Sequence, residues 1–209
     1  MLINAGADPN IRTAIDTPLM RGAEQGYVDL VQTLIKRGAH VDESNDQGMT
    51  AIIRAARRGK RNTAEVLIEA GADINRRDNF GKTALIYAAE FGDAETCRLL
   101  VRKDANIETR SSIEGWTALH AAAAAGKVEA LFILLEAKAN PNSRSNLGWS
   151  PLMLASQRGL PEVVHLLLKS GTEVNAKTLN GKTALSIAAG ANHADVLKLL
   201  TSYGGKYSE

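Results

Sequence analysis

A pattern that returns every 33 or so residues constrains this chain more than any other feature. Six segments open alike: Thr17-Pro-Leu, Thr50-Ala-Ile, Thr83-Ala-Leu, Thr117-Ala-Leu, Ser150-Pro-Leu and Thr183-Ala-Leu. Their first residues lie 33, 33, 34, 33 and 33 positions apart. Nine positions after each come Gly26, Gly59, Gly92, Gly126, Gly159 and Asn192. Twenty-one positions after each come Gly38, Gly71, Asp104, Lys138, Gly171 and Gly204. A fixed period of this length means one supersecondary unit stacked on copies of itself, each burying a face it cannot bury alone.

The physics of one unit follows from these landmarks. Thr or Ser is a good helix N-cap, and Pro18 and Pro151 occupy the first helical position, where a missing N–H costs nothing. Small or apolar residues two, five and six positions after the head, as at Leu85, Ala88 and Ala89, give a stripe for close helix packing. The glycine at plus nine ends this short helix. A second helix follows, with an acid near its start at Asp29, Glu95, Glu129, Glu162 and Asp195 that complements the helix dipole. Its apolar positions recur with amphipathic spacing, as at Val163, Val164, Leu167 and Leu168. Gly at plus twenty-one supplies a left-handed cap, and a polar stretch such as Asp73 to Gly81 turns back to the next head.

With these residues in view, the chain resembles the ankyrin-repeat family: the 33-residue period, the Thr-Pro-Leu heads and Gly71-Ala72-Asp73-Ile74-Asn75 carry the likeness. The resemblance covers essentially the whole chain. It implies an all-α repeat solenoid of helix–turn–helix units with β-hairpin fingers along one edge, acting as a protein-binding scaffold. The expected organisation is a single domain over 1–209, with a partial repeat at 1–11 and full repeats at about 12–43, 44–76, 77–109, 110–143, 144–176 and 177–209. Leu2 sits at the register of Leu34 and Leu67, so the first helix that would cover it is missing. The expectation is a piece of a longer protein or a bare N-terminal edge.

Composition narrows the function classes. Apolar residues make up 44% of the chain and charged residues 23%, which excludes wholesale disorder. Aromatics are only 4% against 32 alanines, so the core is built from small and aliphatic side chains. No apolar run reaches the roughly 18 residues of a membrane span, and the first residues have no signal-peptide pattern. A single cysteine, Cys97, and no glycosylation sequon favour a reducing setting, cytoplasmic or nuclear. A net charge of +2 gives no global case for nucleic acid.

No catalytic, cofactor or metal constellation emerges. Gly81-Lys82-Thr83 and Gly181-Lys182-Thr183 imitate the end of a phosphate-binding loop, but Arg76 and Ala176 stand where that motif needs glycine. Four dispersed histidines and one cysteine lack metal-ligand spacing. His120 fits the family's structural histidine, and Cys97 falls where other units carry Val or Leu.

A repeat also lets the surface be read in columns. Positions plus four, plus seven and plus eight of the first helix share a face opposite the packed stripe, expected to line the concave side. They read Arg21, Arg54, Tyr87, Ala121, Leu154, Ile187; then Glu24, Arg57, Glu90, Ala124, Gln157, Gly190; then Gln25, Arg58, Phe91, Ala125, Arg158, Ala191. The residue before each head reads Asp16, Met49, Lys82, Trp116, Trp149, Lys182. Trp116 and Trp149 therefore share one column above a floor of Ala121, Ala124 and Ala125, with Tyr87 and Phe91 as one wall. This predicts an apolar depression for a bulky anchor. Trp in this place also packs over its own finger in many family members, and that reading stays open.

Arg54, Arg57 and Arg58 form the densest basic cluster and suit an acidic flank on the partner. The local alternative pairs Arg57 with Glu90 and lays Arg58 over Phe91. Phe80 at a finger tip and Arg158 complete the candidate contact residues. Asp104, Lys138 and the extra residue within Arg110 to Ile113 are irregularities that reshape a finger or mark drift. The leading expectation is a monomeric, non-enzymatic module that binds a protein or peptide without nucleic acid, membrane insertion or cofactor. The alternative is the targeting region of a larger enzyme or channel.

Overall fold

The computed structural model describes residues 8–12 and 15–208. The partial repeat expected at 1–11, and Leu2 with it, lies largely outside these residues. Among these residues twelve α-helices follow in pairs: α1 (Pro18–Gln25) and α2 (Val28–Lys36), α3 (Ala51–Arg57) and α4 (Arg61–Glu69), α5 (Ala84–Phe91) and α6 (Ala94–Arg102). The remaining pairs are α7 (Ala118–Ala125) and α8 (Val128–Glu136), α9 (Pro151–Gln157) and α10 (Pro161–Lys169), α11 (Ala184–Gly190) and α12 (Ala194–Ser202). The chain divides into two compact units, Met1–Asn106 and Ile107–Glu209, with three helix pairs in each.

Within the first unit, α1 packs on α3 and α3 on α5, while α2 packs on α4 and α4 on α6. The second unit repeats the arrangement, α7 on α9 on α11 and α8 on α10 on α12. The packed stripe is where the period places it: Ile52, Ala55 and Ala56 of α3, and Leu85, Ala88 and Ala89 of α5, are all buried. In the second unit Leu119, Ala122 and Ala123 of α7, and Leu152 and Ala155 of α9, are buried, and α7 packs on α9. Alanine at two of the three stripe positions brings the backbones of neighbouring helices close. The larger Leu and Ile side chains then supply most of the burial energy, about 1.5–3 kcal/mol each.

Local chemistry starts and stops these helices as the sequence requires. Thr17, Thr83, Thr117, Ser150 and Thr183 each accept a hydrogen bond from the backbone N–H three residues on. Thr50 is the exception: its backbone is extended as a cap requires, but its buried hydroxyl has no partner. At plus twenty-one, Asp104 and Lys138 adopt φ of 60° and 67°, the left-handed conformation that the glycines supply elsewhere. A Cβ there costs about 1 kcal/mol.

The fingers differ from the expectation. No β-strand occurs among the described residues, so they are tight turns rather than β-hairpins. Asn45, Asp78, Ser111, Ser145 and Thr178 donate their N–H groups to the carbonyls of Met49, Lys82, Trp116, Trp149 and Lys182 at 2.8–3.1 Å, and in four of these fingers the N–H of Gly48, Gly81, Gly148 or Gly181 returns to the carbonyl of Asn45, Asp78, Ser145 or Thr178 at 2.8–3.0 Å. A short oxygen-bearing side chain locks every one. Asn45, Asp78, Ser111, Ser145 and Thr178 accept the N–H of the residue just before the next head at 2.9–3.1 Å. All these bonds fall within one short turn, which leaves too little ladder for a strand pair to persist.

Candidate functional site

The candidate contact residues fall into the two units and are built separately. In the first unit, Asp78 is the hinge of the finger that precedes α5. Its Oδ1 accepts the N–H groups of Phe80 and Lys82 at 2.9 Å each, and its Oδ2 accepts the Tyr87 hydroxyl at 2.6 Å. Burial, with the Asp78 carboxylate as acceptor, raises the Tyr87 pKa and keeps its phenol protonated. Tyr87 is only 6% exposed, so it fastens the finger to α5 rather than walling an open depression.

Phe91, one turn further along α5, is 51% exposed and stacks on Tyr87 with ring centroids 6.5 Å apart. The guanidinium of Arg57 lies 5.9 Å from the Tyr87 ring centroid and 5.8 Å from that of Phe91. The local pairing expected for Arg57 is thereby corrected: Glu90 instead binds Lys82 Nζ at 2.8 Å. The Lys82 ammonium also sits over Tyr87, 5.4 Å from the ring centroid. Phe80 stands half exposed at the finger tip.

The other two arginines of the cluster look inward. Arg54 is 8% exposed; its Nη2 donates to Asp16 Oδ1 at 2.6 Å and its Nη1 to Glu24 Oε2 at 3.2 Å. Arg58 donates through Nε to Glu24 Oε1 at 3.0 Å, so it turns toward α1 and not over Phe91. Arg54 is therefore a buried tie between α3, α1 and the finger before α1, while Arg57 stays partly exposed and Arg58 exposed. A carboxylate between two guanidiniums outcompetes a ring face, since charge-assisted hydrogen bonds exceed an exposed cation–π contact.

In the second unit, Trp116 and Trp149 are half-buried and fixed through their backbones. Trp116 N donates to Ser111 Oγ at 3.0 Å while its carbonyl accepts Ser111 N–H at 2.8 Å. Ser145 holds Trp149 in the same way, at 3.0 and 2.8 Å. His120 adds a further tie, its Nε2 lying 3.1 Å from the Trp149 carbonyl oxygen. Its Nδ1 lies 3.3 Å from Thr117 N and 2.9 Å from Thr117 Oγ1. A carbonyl only accepts, so Nε2 carries the hydrogen and Nδ1 accepts: His120 is the neutral tautomer. Burial pushes its pKa down to about 4. Along α7, Ala124 is partly exposed and Ala125 exposed, whereas Ala121 is buried and belongs to the core side of the expected floor. Arg158 is exposed just after α9.

Of the acids that hold these side chains in place, the sequence reading named Asp16 and Glu24 only as members of their columns and did not name Asp78. Asp78 belongs to a column of oxygen-bearing residues, Asn45, Asp78, Ser111, Ser145 and Thr178, that could have pointed to it. Cys97 is fully buried, and burial raises its thiol pKa to about 12. Among the described residues no three His, Cys, Asp or Glu side chains gather as a metal site would need. No helix among them is long and apolar enough to cross a membrane.

The family model for ankyrin repeats, which holds three copies of the unit, matches residues 1–78, 76–145 and 129–208. The chain belongs to the ankyrin-repeat family. No curated protein matches it. Ankyrin repeats are in general protein–protein interaction modules, and the fold is typically non-catalytic. In this ankyrin-repeat chain the caps, left-handed turns and finger locks fix the backbone. The side chains left exposed on the first helices and fingers are then free to differ between repeats.

Proposed function

We propose that this ankyrin-repeat protein binds a segment of a partner protein through the first-helix face and the fingers beside it. The observation that carries the reading is the state of Trp116 and Trp149 in the second unit. Both sit on fingers clamped by two hydrogen bonds, yet both remain partly exposed. An aromatic residue on a clamped backbone has only two side-chain torsions left to order on binding, which is how rigid anchors become hot spots. Beside them Ala124 and Ala125 present almost no side chain, leaving room for an apolar residue of the partner. Arg158 is exposed for a polar or acidic neighbour.

In the first unit the same columns carry a different chemistry, Arg57 against Phe91, with Phe80 at the finger tip. That surface suits an acidic stretch with an aromatic or aliphatic residue, because a guanidinium on a ring face keeps its outward N–H groups for a carboxylate. The chain acts as a monomer in this reading.

Selection of displayed random peptides on the full chain tests the proposal. Peptides with one bulky apolar residue should be enriched, and Trp116→Ala with Trp149→Ala should weaken each about tenfold or more. Binders indifferent to both substitutions would overturn it.

A further inference from the structure

Five of the six second helices carry an acid in their first turn or as their N-cap; α4 has neither. Its N-cap residue is Lys60, no side chain caps it, and its first backbone bond is Ala64 N–H to the Lys60 carbonyl. The N–H groups of Arg61, Asn62 and Thr63 are thus left pointing out of a nine-residue helix. A cavity of about 240 Å³ opens there, lined by Gly26, Val28, Gly59, Lys60, Arg61, Asn62 and Thr63.

Thr63 makes this end different from an ordinary frayed helix. It is 1% exposed, it lines the cavity, and its hydroxyl has no hydrogen-bond partner. A buried hydroxyl without a partner costs about 1–3 kcal/mol, and in a native fold it calls for an explanation. The next repeat supplies one. There the residue at the register of Thr63 is Thr96, and the N-cap at the register of Lys60 is Asp93. Asp93 Oδ1 accepts Thr96 N–H at 3.3 Å and Asp93 Oδ2 accepts Thr96 Oγ1–H at 2.6 Å. The same threonine, on the same turn, is satisfied by a carboxylate that α4 does not have.

Charge at α4 favours an anion in that place. The Lys60 stem lies across Gly26, where a Cβ would come within 2.9 Å of its Cδ, and Lys60 forms no ion pair among the described residues. The helix dipole adds partial positive charge from below. Of the acids nearby, Glu65 pairs with Arg61 at 3.4 Å, Asp93, lying against Gly59, has both oxygens on Thr96, and Asp29, next to the lining residue Val28, is exposed on the first turn of α2.

We propose that the uncapped start of α4 is an oxyanion site, where a ligand's carboxylate or phosphate takes the place that Asp93 fills in the next repeat. The oxyanion accepts Thr63 N–H and Thr63 Oγ1–H, and Lys60 neutralises it. The site lies at the opposite end of the first helices from the fingers, so it stands independently of the partner surface proposed above.

Amide correlation spectra of the full chain, titrated with inorganic phosphate and separately with acetate against sodium chloride at equal ionic strength, test this. The Asn62 and Thr63 amides should shift and saturate, phosphate alone marking a phosphate ligand and acetate a carboxylate one. Lys60→Asp builds the missing cap within the chain. It should raise the melting temperature and weaken either ion about tenfold or more. Thr63→Val, which keeps the shape and removes the hydroxyl, should weaken binding severalfold. Saturation by neither ion, or shifts unchanged in Lys60→Asp, would overturn the site.

Discussion

His120 makes the second unit sensitive to mild acid. The buried imidazole is neutral, with Nε2–H on the Trp149 carbonyl and Nδ1 accepting from Thr117, and its pKa is lowered to about 4. In the unfolded chain the ring titrates near 6.5, so on acidification the unfolded state takes up the proton first. Stability is complete above pH 6.5 and falls as the pH drops toward 4. The gap between an ordinary histidine and one at about 4 amounts, at pH 4, to about 3 kcal/mol. Carboxylates titrate over part of the same range, so the measurement is a difference. Urea denaturation at pH 7 and pH 4 should be compared between the wild type and His120→Gln, which keeps a donor for Trp149 and cannot ionise. The wild type should lose about 3 kcal/mol more than the variant over that interval. Equal losses, or a His120 ring resonance that titrates near 6.5 in the folded protein, would refute the reasoning.

Three more outcomes follow from the same structure. Arg54→Met strips Asp16 and Glu24 of their shared buried cation and should cost about 3–5 kcal/mol in urea denaturation; a loss below about 1 kcal/mol would show the network to be dispensable. Asp104→Gly and Lys138→Gly relieve left-handed backbone at φ 60° and 67°. Each should raise stability by roughly 0.5–1 kcal/mol, read as a higher melting temperature, and unchanged melting would contradict the strain. Cys97, fully buried with its pKa raised to about 12, should resist a thiol reagent at pH 8 until the chain is unfolded. Rapid labelling of the folded protein would place the thiol at the surface.

Much of the fold was legible because it rests on short-range rules. The head residue, the glycine nine positions on and the cap at twenty-one act within a turn of their own helix. Asp104 and Lys138 accordingly take the backbone that their register demands. The side-chain partners were less legible, since they depend on which neighbouring repeat reaches furthest. Arg58 had Phe91 on one side and Glu24 on the other, and only the three-dimensional stacking shows that Glu24 holds both Arg58 and Arg54. Tyr87 reads as a surface aromatic until Asp78, nine residues earlier, is seen to accept its hydroxyl. Ala121 reads as part of an open floor until its burial is known. The finger strands failed for a related reason: the resemblance implies a hairpin, but the backbone bonds and side-chain locks of each finger all fall within one short turn.

Ala124→Arg tests the central claim most directly. The partner-binding reading places an apolar side chain of the ligand over Ala124, which is partly exposed on α7 and faces away from the buried Leu119, Ala122 and Ala123. Arginine is a good helix former and its head can reach water from this position, so the fold tolerates it. Affinity for any peptide selected on the wild type should fall at least about tenfold, or about 1.4 kcal/mol, with little change in melting temperature. Undiminished affinity with arginine at this position would contradict the account.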